Sequence, residues 1–166
     1  DGAPTEIKMV LTTPFCPWAG DLIQEIKTKT EDVVGPPVKV TLLADRWANE
    51  AFASYYGAVA AEDASIKVTT DRLTPELEKA KTPLNGWGPV GTLEVAQEDY
   101  AYAASFTIAR QIAERAGPDG LRAVWADVSD RLSAYQPVGG GDEIVGGPVD
   151  WRGLLDLLEA RTDTTY

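Results

Sequence analysis

The segment 97–116, QEDYAYAASFTIARQIAERA, decides most of the fold. Its apolar residues recur at every third or fourth position, which is the spacing of one face of an α-helix. The residues that mark this face are Tyr100, Ala104, Ile108 and Ile112. Gly117-Pro118 follows directly and predicts the end of the helix, because glycine readily adopts the C-cap conformation and proline cannot continue a helix. The segment therefore predicts a long amphipathic helix in a helical assembly.

Helical signals continue on both sides of this segment. A helix is predicted from Asp45 to about Ala61, and a second one lies beyond Gly117-Pro118, where apolar residues recur from Leu121 to Tyr135. Thr74-Pro75 predicts the N-cap and first residue of a short helix that ends near Lys81, and Asp150 predicts the N-cap of a last helix. Between them, residues 83–91 predict a loop, since glycine and proline fill five of the nine positions.

The N-terminal part has a different pattern. Residues 6–12 alternate polar and apolar side chains, as in a half-buried strand, and 38–43 (VKVTLL) predicts a second strand. A helix between them must end at Gly35-Pro36-Pro37. We therefore expect an α+β fold with a small N-terminal β-α-β element (1–44) and a predominantly helical C-terminal region (45–166). The two parts either form separate units or share one core.

The charge of the chain limits its partners. The 166 residues include 26 acidic and 15 basic side chains, so the formal net charge is −11. This charge repels nucleic-acid phosphates, and we expect no nucleic-acid binding. No apolar stretch is long enough for a membrane span, which predicts a soluble protein. A protein or peptide partner stays open, as does the compartment, either cytoplasmic or exported.

The absence of histidine removes more chemistry than any motif supplies. Without an imidazole there is no Ser-His-Asp or Cys-His nucleophile and no histidine-bearing zinc site. One cysteine can form neither an internal disulfide nor a multi-thiolate metal site. These exclusions disfavour enzymatic activity, and the residues themselves point to no cofactor.

Cys16 is the candidate for a reactive residue. Thr12 and Thr13 could hydrogen-bond the exposed amides at the start of the following helix, and the positive end of that helix would favour a thiolate. The alternative, which free cysteines more often follow, is a small buried hydrophobic residue. The run Leu11-Thr12-Thr13-Pro14-Phe15-Cys16-Pro17, with the helix and strand after it, resembles the SufT/PaaD-like family of iron–sulfur assembly over residues 7–43. The resemblance implies that Cys16 handles an iron–sulfur cluster.

A second motif lies in the predicted helix after residue 45. Residues 47–55, WANEAFASY, resemble the W-x-N-E-G-F-A-S-Y segment of gluzincin (aminopeptidase-like) metallopeptidases, and the resemblance extends over residues 46–162. It implies that Glu50 occupies the position of the third zinc ligand. The H-E-x-x-H motif that supplies the other two is absent, so the metal role of Glu50 would be vestigial. The alternatives for Glu50 are a solvated helix residue or an i−4 ion pair with Arg46.

Trp87 is the candidate contact residue, because it lies in the loop Asn85-Gly86-Trp87-Gly88-Pro89 and could present an exposed aromatic ring to a ligand. The alternative is a side chain that fills the nearest core. The leading hypothesis for the whole chain is a non-catalytic binding or interaction domain related to the helical part of gluzincins. The alternatives are an iron–sulfur assembly accessory acting through Cys16 and a fragment or mosaic chain without independent activity.

Overall fold

A computed structural model describes residues 5–6, 19–35, 38–39, 43–70, 72–135 and 148–166. These ranges contain five α-helices, one 3₁₀ turn at Leu84–Gly86 and two very short strands. In chain order the elements are β1 (Thr5–Glu6), α1 (Ala19–Val34), β2 (Val38–Lys39), α2 (Arg46–Asp63), α3 (Pro75–Glu78), α4 (Val95–Asp130) and α5 (Trp151–Thr162).

The predicted α+β fold with a small N-terminal β-α-β element is wrong. The described residues are mostly helical, and the two strands that they contain, β1 and β2, lie parallel with two residues each. Paired strands of two residues each are too short to form the sheet on which a crossover helix packs. The predicted second strand does not reach Leu43, whose backbone N–H and C=O bond the side chain of Asn49 instead of a neighbouring strand. Residues 7–12 lie outside the described residues.

The core lies where α4 packs against both α2 and α5. The helix face predicted for 97–116 contributes Tyr100 and Ala104, both buried, while Ile108 and Ile112 are partly buried at its edge. Phe52 of α2 meets Trp125 of α4 edge to face, with 4.7 Å between the ring centroids. Aromatic and leucine side chains from three helices therefore form one core.

α4 is bent in its middle. Gly117 has a φ of 67° and a ψ of 168°, a conformation that glycine adopts without steric cost, and it divides α4 into two arms. Pro118 begins the second arm, where its missing N–H is not needed. The helix break predicted at Gly117-Pro118 is confirmed. The bend allows both arms of one long element to bound the same core.

The starts of α2 and α5 are joined. Asp45 precedes α2, but its side chain accepts no hydrogen bond from that helix and accepts one from the backbone N–H of Trp151, at 2.6 Å. The N–H of Ala44 donates to the C=O of Val149 at 2.9 Å. Asp150 caps α5 by accepting from the N–H of Gly153, which confirms its predicted role. Thr74 caps α3 in the same way, although α3 ends at Glu78 and not near Lys81.

No helix among the described residues combines the length and apolar character that crossing a membrane would require.

We predict that Asn49→Ala lowers the free energy of unfolding by about 1–3 kcal/mol. The Asn49 side chain is buried, accepts from the Leu43 N–H at 3.1 Å, and donates to the Leu43 and Asp45 carbonyls at 2.8 and 3.0 Å. Alanine removes these side-chain partners from the N–H and C=O of Leu43, while the Asp45 carbonyl keeps the backbone N–H of residue 49. Urea denaturation measures the change, and Asn85→Ala in an exposed loop position is the matched control. Equal stability of the two variants would contradict the structural role of Asn49.

Candidate functional site

The first residue of α2, Arg46, lies at the centre of a buried polar cluster. We call it the Arg46 cluster, and its members are Arg46, Glu50, Trp87, Glu98 and Tyr102. Arg46 is only 5% exposed. A guanidinium at this depth requires acceptors for its N–H groups, because burying a charge without hydrogen bonds is costly.

Glu98 of α4 is the main partner of Arg46. Nη1 donates to Oε1 at 3.2 Å and Nη2 donates to Oε2 at 3.1 Å, which makes the pair bidentate. Nη1 also donates to the C=O of Gly88 at 2.7 Å, and Nη2 donates to the hydroxyl oxygen of Tyr102 at 3.1 Å. Arg46 therefore joins α2 to α4 and to the loop that follows Leu84–Gly86.

Two aromatic rings enclose the guanidinium. The Arg46 guanidinium carbon lies 4.1 Å from the ring centre of Trp87, within cation–π distance. The Trp87 indole N–H donates to Glu98 Oε2 at 3.0 Å, and the ring meets Tyr102 edge to face with centroids 4.7 Å apart. The position of Trp87 is thus fixed both by the contacts of its ring and by the hydrogen bond of its indole N–H. Burial raises the pKa of the Tyr102 hydroxyl, despite its hydrogen bond from Arg46.

Glu50 lies one helical turn after Arg46 and is less well paired. Its Oε1 lies 3.6 Å from Arg46 Nε, too far for a normal hydrogen bond. Both atoms are buried, and neither has a hydrogen-bond partner among the described residues. Burial raises the pKa of Glu50 from 4.5 to about 7, and the nearby Arg46 opposes this shift only in part. Near neutral pH, Glu50 therefore exchanges between charged and neutral forms.

The structure resolves the alternatives for two of the candidate residues. Glu50 lies beside Arg46 at i−4, as the ion-pair alternative predicts. It is 3% exposed, so the alternative of a solvated helix residue is wrong. Trp87 is 4% exposed and fills the core, as in the alternative to an exposed contact. One edge of Trp87 still borders a cavity of about 160 Å³ that Asp45 and Arg46 also line. The prediction that Trp87 contacts a ligand is not tested by this arrangement.

Two of the candidate residues, Glu50 and Trp87, lie together in the Arg46 cluster. Cys16, Thr12 and Thr13 lie outside the described residues. In the described ranges, no group of three or more histidine, cysteine, aspartate and glutamate side chains is placed to hold a metal ion. Glu50 and Glu98 are both directed to a guanidinium, so their negative charge is offset within the protein.

Sequence reasoning missed Glu98 and Tyr102. Glu98 is the bidentate partner of Arg46, although the sequence pattern does not single it out. The i,i+4 spacing made the Arg46–Glu50 pair readable, but 52 positions separate Arg46 from Glu98. No local signal connects residues at that distance. Glu98 lies near the start of the predicted helix 97–116, and this position indicates a charged partner only weakly.

We predict that Arg46→Lys lowers the free energy of unfolding by about 2–4 kcal/mol. Lysine keeps the charge but cannot reproduce the bidentate bond to Glu98 and the bond to the Gly88 carbonyl together. The matched control is Arg122→Lys, because Arg122 also pairs with a carboxylate, that of Asp119, but is 73% exposed. Urea denaturation should show a change within about 0.5 kcal/mol for the control. Equal effects of the two variants would mean that charge alone matters at Arg46.

We also predict that Glu50→Gln changes the pH dependence of stability. A carboxyl whose pKa is higher in the folded chain than in the unfolded chain destabilises the fold increasingly as pH rises from 4.5 to about 7. Glutamine has no such penalty. The stability of the variant relative to the unaltered chain should therefore rise across this range by about 1–3 kcal/mol and then level off.

Urea denaturation at a series of pH values measures this difference. Glu62→Gln is the control, since it makes the same chemical change at an exposed position of α2. A difference between the Glu50→Gln variant and the unaltered chain that stays constant with pH would contradict the elevated pKa of Glu50.

The chain was also compared with known proteins. No protein-family model, curated protein or solved structure matches it.

Proposed function

We propose that this chain is a non-catalytic binding or interaction domain related to the helical part of gluzincin metallopeptidases. The observation that supports the proposal is the environment of Glu50. In the resemblance Glu50 corresponds to a zinc ligand, but here its carboxyl group is buried beside Arg46 with an Nε–Oε1 distance of 3.6 Å.

The chemistry of zinc explains why this environment matters. A catalytic zinc ion takes three protein ligands and keeps an open position for an activated water. A guanidinium beside the carboxylate competes with a cation for the same oxygen atoms and adds a positive charge that repels it. Arg46 therefore occupies the role that a metal ion would have as the counter-charge of Glu50. The chain has no histidine to supply the other two ligands.

The remaining acidic groups support the same conclusion. Glu98 is bound by Arg46 and by the Trp87 indole N–H, so both of its oxygens have donors. A carboxylate held in this way positions side chains and is not free to move a proton to a substrate. The Arg46 cluster thus stabilises the arrangement of α2, α4 and the loop between them, as the frame of a binding domain requires.

The iron–sulfur accessory role proposed for Cys16 gains no support from the described residues, because Cys16, Thr12 and Thr13 lie outside them. It stays a separate proposal. Loss of a bound cluster in Cys16→Ser is the observation that would support it.

We predict no metal-dependent peptide hydrolysis by the purified chain. The assay uses a mixture of fluorogenic aminopeptidase and endopeptidase substrates, with added zinc and with a chelator. Rates should equal the rate without protein in both conditions, and Glu50→Gln should change nothing. Hydrolysis that zinc raises, that the chelator removes, and that Glu50→Gln but not Glu62→Gln abolishes would overturn the proposed function.

A further inference from the structure

A second concave surface lies away from the Arg46 cluster, at the junction of three helices. It is a groove of about 250 Å³. Trp47 of α2, Ile108 and Ile112 of α4, and Trp151 and Leu155 of α5 supply its apolar walls. Several of these side chains are only partly buried, so the folded chain leaves apolar surface in contact with water here. A ligand that covered this surface would gain hydrophobic free energy.

The charge at this groove is opposite to that of the whole chain. Arg115 is the one charged residue among the described residues that line it. Its guanidinium carbon lies 5.4 Å from the ring centre of Tyr166, and none of the described carboxylates forms an ion pair with it. Arg152 lies 4.5 Å from the ring centre of Trp151, but it is absent from the groove lining and its Nη1 is 3.9 Å from Asp150 Oδ2. One guanidinium with no ion pair to a described carboxylate thus lines an apolar groove in a chain of net charge −11.

We infer that this groove binds an amphipathic monocarboxylate, a small molecule with a medium-length hydrocarbon chain. The hydrocarbon chain lies against Trp47, Ile112 and Leu155, and the carboxylate pairs with Arg115. A guanidinium is well suited to this role because it offers a planar pair of N–H donors to a carboxylate.

The dimensions favour a small molecule over a protein segment. A single groove of about 250 Å³ is close to the lower end of ordinary small-molecule sites. A stable protein partner would need roughly 800 Å² of surface on this side, with further anchor positions. The inference rests on the proposed function in that it names the ligand class of a binding domain. It requires nothing of Glu50.

The test is calorimetric titration of the unaltered chain with decanoate below its micelle concentration. The two comparison ligands are decanol, which is neutral, and decyltrimethylammonium, which is a cation with the same hydrocarbon chain. We expect saturable binding of decanoate at one site. Decanol should bind more weakly, and the cation should bind more weakly still, because it meets Arg115 with a like charge.

Variants distinguish the contribution of the Arg115 charge to ligand binding from that of the apolar walls of the groove. Arg115→Gln should weaken decanoate binding about three- to tenfold and leave decanol binding unchanged. Arg110→Gln is the matched control, since Arg110 is an exposed arginine of α4 that is absent from the groove lining and pairs with Glu114. Ile112→Trp should fill the groove and abolish binding of both ligands. Leu155→Trp does the same from α5, and circular dichroism establishes that each variant is folded.

Each contrary result has a distinct meaning. Equal binding of the three amphiphiles, or binding without saturation, would overturn the inference, because it would show adsorption to apolar surface. The inference would also be overturned if decanoate does not bind and the groove binds an acidic amphipathic peptide, or a second copy of the chain, in a manner that depends on Arg115. Metal-dependent hydrolysis overturns the proposed function whether or not decanoate binds. Absence of decanoate binding without hydrolysis overturns this inference alone.

Discussion

The buried guanidinium of Arg46 is the constraint on which the rest of the described structure depends. It binds Glu98 with two hydrogen bonds, and the C=O of Gly88 and the Tyr102 hydroxyl with one each, so α2, α4 and the loop before α4 share one charged group. A guanidinium that is 5% exposed cannot turn to water when one of these partners is lost. The position of Trp87 follows from the same group, since its ring lies on Arg46 and its N–H bonds Glu98.

The Arg46 cluster is better explained by a role in selecting one arrangement of the chain than by a gain in the free energy of unfolding. The free-energy cost of removing two charges from water can equal the electrostatic free energy gained when they form a buried ion pair. Apolar side chains of similar volume often stabilise a core to the same extent. Apolar packing alone would not distinguish one placement of the 84–89 loop from another. The directions of the Arg46 N–H groups do so, because each must meet a particular acceptor. Glu50 shows the cost of this arrangement, since its carboxyl lacks a hydrogen bond at Oε1 and its pKa is about 7.

Features encoded by neighbouring residues were predictable from the sequence, while features that join distant residues were not. The start of α2, the caps at Thr74 and Asp150 and the break at Gly117 each depend on a few consecutive side chains. The residues of 38–43 predict a strand when they are considered alone, but the amide side chain of Asn49 bonds the backbone of Leu43. Of the Arg46 cluster, the sequence predicts only the pair Arg46–Glu50. Glu98 enters it because α4 packs against α2, and that packing has no local signature.

The same helical frame closes one site and leaves another open. Where α2 and the start of α4 meet, small side chains such as Ala48 and Ala101 let the helices approach closely, and the polar groups between them must satisfy one another. Further along α4, towards Gly117, the larger side chains of Ile108 and Ile112 meet α5 and the start of α2 at their ends, and a groove remains between them. Both acidic groups of the Arg46 cluster therefore lie beside the same guanidinium, Glu98 with two hydrogen bonds and Glu50 with a distance of 3.6 Å from Oε1 to Nε. Arg115 in the groove, by contrast, forms no ion pair with a described carboxylate, and so an electrostatic attraction to an external anion is available there and not at Glu50.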